Sequence, residues 1–205
     1  MMGRKEAHVP TPERTNVNQI VEAAKAILEE SGLAGLTMAA VAARVGVRAP
    51  SLYKRVGGRD ELLGLVADAT VLDLAERIDA AMNGIPAGKH TTHDGAGEPR
   101  AALSRMVRAY RDFAKERPAA YQLVFSQAPA EAQPRPESLA KAVAPALAAT
   151  EQLVGADHAL DAARLLTAWI HGFVTMELSG SFRLAAGVDR TFEYGLTFLV
   201  DTLGE

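Results

Sequence analysis

Apolar residues recur along most of the chain at the three- and four-residue spacing of one face of an α-helix. The first such segment follows Asn16 and Gln19, which have the spacing of a capping box, and it ends at Gly32. Similar patterns return to the end of the chain, and no segment shows the alternation of a half-buried strand. The sequence therefore predicts an all-α protein with about nine helices.

Two short predicted helices follow the first one and are joined by a tight turn. Thr37 is placed to cap the earlier of the two, and Gly46 stands where a left-handed residue ends a helix. The later one has Pro50 in its first turn, where the missing N–H costs little. Two short helices with a glycine-containing turn between them form a helix-turn-helix candidate.

The remaining helices are predicted to be longer. One starts after Gly57 and Gly58 and runs to about Met82, where a connection rich in Gly, Pro and His (83–99) begins. The five helices expected beyond it are one that Pro118 ends, a short one over 118–126, one over 137–154 that Pro145 should kink or interrupt, and two capped by Asp157 and Asp189.

These patterns divide the chain into a flexible N-terminal arm (1–15), a helix-turn-helix domain (16–60) and a larger helical domain (61–205). Residues 1–60 carry nine Lys and Arg against six Asp and Glu, whereas the rest carries thirteen against nineteen, within a net charge of -3. A DNA-binding end would show this asymmetry, because phosphates need neutralising only where the DNA backbone passes. A difference of this size also arises by chance.

The composition excludes several other classes of protein. Apolar residues make up 48% of the chain, yet no run is long enough to span a bilayer, and the polar start lacks an apolar signal core, so we expect no membrane and a cytoplasmic protein. The absence of Cys removes thiolate nucleophiles, disulfides and Cys-based zinc sites. His90 and His93 have a metal-compatible spacing, but they lie in a Gly-rich stretch that favours a solvated loop. We expect neither a metal nor a cofactor.

The run LTMAAVAARVGVRAPSLYKRVGGRDELL (36–63) resembles the DNA-binding signature of the tetracycline-repressor (TetR) family in residue types and spacing. The all-helical length also fits that family. Trp169, His171 and Gly172 look like the Trp-x-His-Gly signature of one C-terminal subclass. Members often have aromatic residues where Arg55 and Val56 stand, so the turn after the recognition helix is less bulky here.

The resemblance implies a transcription regulator with an N-terminal three-helix DNA-binding domain and a C-terminal domain for ligand binding and dimerisation. It would bind a pseudo-palindromic operator in double-stranded DNA as a homodimer formed by the last two helices. A small-molecule effector would release it, which is the behaviour of a repressor.

The DNA contacts implied by the resemblance lie in and beside the helix-turn-helix. Arg48 would bond a guanine or clamp a phosphate, the Tyr53 hydroxyl would bond a phosphate, and Thr37 would both cap its helix and present free amides to a phosphate. Arg59 matches a basic position that meets the DNA backbone. The full expected set is Thr37, Arg48, Ala49, Pro50, Ser51, Tyr53, Lys54, Arg55 and Arg59. Solvated side chains are the alternative for the cations, and core packing is the alternative for Tyr53.

The larger domain supplies many aromatic and methionine side chains, which favours a mostly apolar pocket with one or two polar groups such as His171 or Tyr110. The residues expected to bind the effector are Met106, Tyr110, Phe113, Tyr121, Phe125, Trp169, His171, Phe173 and Met176. The aromatic and methionine side chains could also be ordinary core residues, and His171 could be held by a protein group rather than by a ligand.

The rival hypothesis is an all-helical enzyme, or a lipid or small-molecule carrier, without DNA binding. The sequence contains no Gly-x-Ser-x-Gly elbow, no phosphate-binding Gly-rich loop, no His-Glu-x-x-His site and no paired acidic motif, so we expect no enzyme. A carrier would not bind operator-like duplexes, and this separates the two hypotheses.

Overall fold

The structure, a computed structural model, describes residues 16–84, 97–126, 129–184 and 187–203. Within these ranges every regular element is a helix, which confirms the all-α prediction. The helices are α1 (Val17–Gly35), α2 (Met38–Arg44), α3 (Ala49–Tyr53), α4 (Arg59–Asn83), α5 (Gly97–Glu116), α6 (Pro118–Val124), α7 (Pro136–Val154), α8 (Ala156–Leu178) and α9 (Val188–Thr202). A 3₁₀ turn (Ala130–Ala132) precedes α7. The N-terminal arm, His90 and His93 lie outside the described residues.

The capping signals near the N-terminus are confirmed. The Asn16 side chain accepts from the Gln19 amide at 2.8 Å, and the Gln19 side chain accepts from the Asn16 amide at 3.0 Å. Thr37 Oγ1 accepts from the Ala40 amide at 3.1 Å. Gly32 has φ 65°, which interrupts the helical geometry three residues before α1 ends. These bonds satisfy amides that have no partner inside a helix.

Two predicted caps of the later helices are wrong. Asp157 and Asp189 are not caps: glycines at 155 and 187, both with positive φ, hold the N-cap positions, and the two acids lie in the first turns of α8 and α9. Their charge still favours the positive end of each helix. Of the two alternatives predicted for Pro145, an interruption is wrong, because α7 runs through it to Val154, and a kink stays a prediction.

The core has two clusters of buried side chains. The first joins α1, α2 and α3 to the beginning of α4 as far as Ala67, and it includes Ala120 and Leu123 of α6 and Ala132 of the 3₁₀ turn. The second joins the rest of α4 to α5, α7, α8 and α9, together with Tyr121 of α6. The first cluster is called the head below, and the second is called the body. Both α4 and α6 contribute to both clusters.

Ionic contacts also tie the helices together. Asp68 of α4 is buried and accepts hydrogen bonds from the backbone and the guanidinium of Arg135, just before α7. Burial opposes its ionisation, but the bonds from Arg135 and Ser138 lower the pKa of the Asp68 carboxyl overall. Lys25 of α1 is buried and donates to Asp73 of α4 at 2.6 Å. These bonds fix α1 and α7 against the long helix α4.

None of the helices in the described ranges is both long and apolar enough to cross a bilayer.

Candidate functional sites

The helices of the helix-turn-helix pack onto the head core through completely buried side chains. Leu52 of α3 and Val41 of α2 point into the head core with Ile20 of α1, as does Val56 just after α3. Leu52 is thus a core residue of the helix-turn-helix. Its neighbour Tyr53 leaves 51% of its surface exposed, so the opposite side of α3 is open to a partner.

The nine residues predicted to contact DNA all lie in or beside the helix-turn-helix. Thr37 caps α2, Arg48 caps α3, and the others lie in α3, in the turn after it or at the start of α4. All are exposed except Ala49, which is half-buried. Their contacts with DNA stay predictions.

Two further carboxylates shape the motif. Glu30 of α1 forms a two-bond ion pair with Arg44 of α2, and this bonding lowers the pKa of the Glu30 carboxyl. Glu61 Oε2 accepts from the Gly57 amide at 2.6 Å, which closes the turn between α3 and α4. A Cβ at Gly57 would lie 2.7 Å from that oxygen, so a larger residue there would require the Glu61 carboxylate to shift.

Arg59 also bonds to the protein's own backbone. Its Nε donates to the Leu36 carbonyl at 3.1 Å, and its Nη2 donates to the Leu33 carbonyl at 2.8 Å. Two of its donor groups are therefore engaged by the protein's own backbone at the end of α1.

The body contains an apolar cavity of about 120 Å³ between α4, α5, α6, α7 and α8. Among the described residues that line it, the polar side chains are Tyr110 and Thr167. The described lining is Val71, Leu74, Ile78, Met106, Val107, Tyr110, Val124, Phe125, Leu139, Ala142, Val143, Ala146, Thr167 and Ile170. Phe125, Leu139 and Val143 are each more than 40% exposed, so they form an opening between the end of α6 and α7.

Of the residues predicted to bind the effector, three line this cavity: Met106, Tyr110 and Phe125. The structure places the others elsewhere. Phe113 is buried, with its ring 5.9 Å from the Arg117 guanidinium. The remaining predicted residues are Tyr121 and His171, which adjoin Phe125, and Trp169, Phe173 and Met176, which line a separate groove beside α9.

A chain of hydrogen bonds runs beside the cavity. The hydroxyls of Tyr110 and Tyr121 are 3.2 Å apart, and the Tyr121 hydroxyl is 2.7 Å from His171 Nδ1. Burial raises the pKa of both tyrosines and lowers that of His171, so all three groups are neutral near pH 7. His171 therefore has a protein partner, and the wall that Tyr110 contributes carries no charge.

Sequence reasoning missed most of the cavity lining. Most of the missed residues are aliphatic side chains of α4 and α7, such as Leu74, Val143 and Ala146. In a sequence they look the same as residues that fill a core, and no spacing distinguishes the two roles. Among the described residues, no group of three or more His, Asp or Glu side chains is placed to hold a metal ion.

The last two helices carry an exposed apolar surface, which we call the α8/α9 face. Leu165 and Met176 of α8 are 55% and 46% exposed, and Tyr194 and Phe198 of α9 are 74% and 59% exposed. A groove of about 440 Å³ lies on this face, lined partly by Trp169. Large exposed apolar surfaces of this kind mark interaction sites.

A helix-turn-helix on an all-α chain, with an apolar cavity in the body behind it, defines a helix-turn-helix transcription regulator. Family models agree with this class. Residues 20–66 match the model described as "Bacterial regulatory proteins, tetR family", and residues 103–199 match "Tetracyclin repressor-like, C-terminal domain". The chain belongs to the TetR family of transcription regulators. The Trp-x-His-Gly likeness stays a prediction.

Two curated relatives support this assignment. The uncharacterized HTH-type transcriptional regulator Rv0681 of Mycobacterium tuberculosis is 28% identical over 214 residues, covering 95% of this chain and 91% of that protein. The HTH-type transcriptional repressor DrrR1 of Streptomyces coeruleorubidus is 44% identical over 66 residues, which are 32% of this chain and 24% of that protein. The protein is therefore a DNA-binding transcription regulator.

Solved structures show the same fold. A protein of unknown function from Rhodococcus sp. RHA1 superposes with a TM-score of 0.73 at 19% identity, covering 95% of this chain and 99% of that one. BioQ in complex with its double-stranded DNA operator superposes with a TM-score of 0.58 at 27% identity, covering 90% and 95%.

Proposed function

We propose that the protein is a ligand-responsive repressor, which binds its operator as a homodimer and leaves it when a small apolar molecule occupies the body cavity. We infer the sensing role from the cavity, which is apolar and opens to solvent. Helix α4 connects the cavity wall to the DNA-binding head. The 44% identity over 66 residues to a protein named as a repressor supports repression rather than activation. We expect it to act in the cytoplasm.

The DNA contacts are proposed to come from the exposed side of the helix-turn-helix. Each head of a dimer would read one half-site, and the half-sites would be spaced by the helical repeat of about 10 base pairs. Arg48→Ala should cost about 1–3 kcal/mol and relax the sequence preference if Arg48 bonds a base. Tyr53→Phe should weaken all duplexes alike, because its hydroxyl would bond a phosphate. Unchanged affinity in both variants would refute this assignment.

The cavity favours an uncharged effector. Among the described lining residues, the Tyr110 and Thr167 hydroxyls are the groups that could orient a ligand, and burying an unpaired charge among the aliphatic side chains would be very costly. The volume is close to that of an engineered apolar cavity of about 150 Å³ that binds benzene. We therefore propose a neutral effector whose buried part is about the size of one ring, entering past Phe125 and Leu139.

The α8/α9 face is proposed as the dimer interface. Its exposed apolar residues follow one stripe along each helix, and two such pairs of helices would form a four-helix interface. Gly172 of α8 lies on this face with nothing within 4 Å of an added Cβ, so a partner helix could approach closely there. Gly195 instead serves a contact within the chain, because its Cβ would lie 2.6 Å from Trp169.

The route from effector to DNA is proposed to run through α4. This helix starts beside the recognition helix, and Val71, Leu74 and Ile78 from its middle line the cavity. A ligand that moves these side chains would change the separation of the two heads. An effector that weakens operator binding by about 1–3 kcal/mol must itself bind more weakly by the same amount when operator is present.

A thermal-shift screen with neutral and ionised small molecules tests the proposal. Neutral compounds should raise the melting temperature of the wild type but not of Ala146→Leu, because Ala146 lines the cavity and a larger side chain fills it. Ala144→Leu is the matched control, since Ala144 is exposed on the same helix. Hits that stabilise both variants equally would place the ligand site elsewhere.

Each hit is then titrated into the protein with and without a duplex from upstream of the encoding gene. Lower ligand affinity in the presence of DNA is expected, and equal affinities would exclude induction by that compound. A carrier without DNA binding predicts that no such duplex binds above background.

A further inference from the structure

Arg59 connects two segments of the head that are far apart in the sequence. It is the first residue of α4, and its guanidinium donates to the carbonyls of Leu33 and Leu36, which lie 26 and 23 residues earlier. The fork of N–H groups on a guanidinium can bond two oxygens at once, which the single ammonium of a lysine side chain does less well.

The carbonyls that Arg59 holds belong to the connection between α1 and α2. The helical geometry of α1 is broken at Gly32, and carbonyls at the end of a helix have no amide partner inside it. Leu36 is fully buried and directly precedes Thr37, whose hydroxyl and carbonyl accept from the amides of Ala40 and Val41. The guanidinium therefore fixes the backbone just before the N-terminus of α2.

We propose that Arg59 is a positioning residue for DNA binding: it holds the α1–α2 connection, and through it the N-terminus of α2, instead of binding a DNA phosphate. The proposal rests on the proposed operator-binding function. Although Arg59 is exposed at the start of α4, its guanidinium is directed toward the protein's own backbone, which is the arrangement that a positioning role requires.

The lysine variant separates positioning from phosphate binding. Lysine keeps the charge and would bind a phosphate as a point charge, but it cannot span both carbonyls as the guanidinium does. We expect Arg59→Lys to weaken operator binding about tenfold, the effect of losing one charged hydrogen bond. Near wild-type affinity in this variant would overturn the proposal.

The salt dependence of binding provides a second test. Losing one contact between a cation and a phosphate makes the plot of log affinity against log salt shallower by about 0.9. Arg59→Gln should weaken binding with an unchanged slope, whereas Arg55→Gln, its matched control in the turn after α3, should make the slope shallower by about one. An equally shallower slope in Arg59→Gln would overturn the proposal.

Hydrogen exchange of the DNA-free protein completes the experiment. Arg59→Lys and Arg59→Gln should speed exchange of the Ala40 and Val41 amides, while Arg55→Gln should not. Unchanged exchange in both Arg59 variants would overturn the positioning role. If the wild type bound no duplex, the proposed function would fail, and the exchange data would still decide whether Arg59 orders the connection.

Discussion

Gly64 lies where α4 passes the 3₁₀ turn, and the contact there is between backbones. A Cβ at Gly64 would lie 2.2 Å from the Glu131 carbonyl oxygen. We expect Gly64→Ala to lower the free energy of unfolding by about 1–3 kcal/mol, because the 3₁₀ turn would have to move. Urea unfolding measures the change.

Gly172→Ala is the control for this prediction. Gly172 also lies inside a helix, but its added Cβ would meet nothing within 4 Å. Alanine there should leave stability unchanged or raise it by up to about 1 kcal/mol through helix propensity. Both alanine variants are compared in a Phe198→Glu background, because Gly172 lies on the face proposed as the dimer interface and a monomeric chain removes that contact. Equal stabilisation by both alanines would show that α4 does not approach the 3₁₀ turn this closely.

At the scale of elements, α6 is joined to the head at one end and to the cavity at the other. Its first amides, from Ala119 and Ala120, donate to the Glu29 carboxylate of α1 at 3.3 and 2.8 Å, and Phe125 at its far end lines the cavity. We expect Glu29→Ala to cost about 1 kcal/mol of stability, as the loss of a helix cap does. It should also reduce the difference in ligand affinity with and without operator.

Glu30→Ala is the matched control for Glu29. Glu30 is the next residue of α1, but its exposed ion pair is with Arg44 of the head, so α6 is unaffected. Titration calorimetry should find the wild-type coupling in Glu30→Ala. An equal loss of coupling in both variants would remove the special role of the Glu29 cap.

The start of α9 and the end of α8 are held by one buried cation of α5. Arg111 donates to both oxygens of Glu177 and to Asp189, and this bonding lowers the pKa of both carboxyls. Because their folded pKa values are depressed, the stabilisation is present at neutral pH and lost as the pH falls through those values. The wild type should therefore lose stability in acid, with the contacts of α8 and α9 to α5 weakening first.

Replacing this cation should change the pH dependence. Arg111→Met would leave Glu177 mostly buried with only Lys115, 3.3 Å away, as a cation partner, at a cost of about 3 kcal/mol near pH 7. The deficit should shrink as the pH falls, because protonation removes the unpaired charge. Unfolding curves from pH 7 to pH 3 that stay parallel for variant and wild type would contradict this account.

At the scale of the whole molecule, the α8/α9 face should bring two chains together. Light scattering should give about twice the chain mass of 21.7 kDa at micromolar concentration. Phe198→Glu should produce monomers, because the charge would have to be buried at the interface. Leu184→Glu, at a 95% exposed position between α8 and α9, should remain dimeric. A monomeric wild type would refute the proposed interface.

The sequence by itself determined the features that depend on neighbours within about four residues. Helix periodicity, the Asn16–Gln19 capping box, the Thr37 cap and the left-handed Gly46 all follow from such local bonds, and the structure has each of them. The helix-turn-helix is a local motif as well, so its residue types and spacing sufficed to indicate the TetR family.

The tertiary structure decided which face of each helix meets which neighbour. Periodicity identified an apolar stripe on α8 but not that Leu165 and Met176 face solvent while Ile170 faces the cavity. It also gave no sign that Arg59 turns toward Leu33 and Leu36. Cavity walls and hydrogen bonds between residues that are distant in sequence depend on how the helices rotate and pack. Helix formation and capping depend instead on bonds between residues a few positions apart.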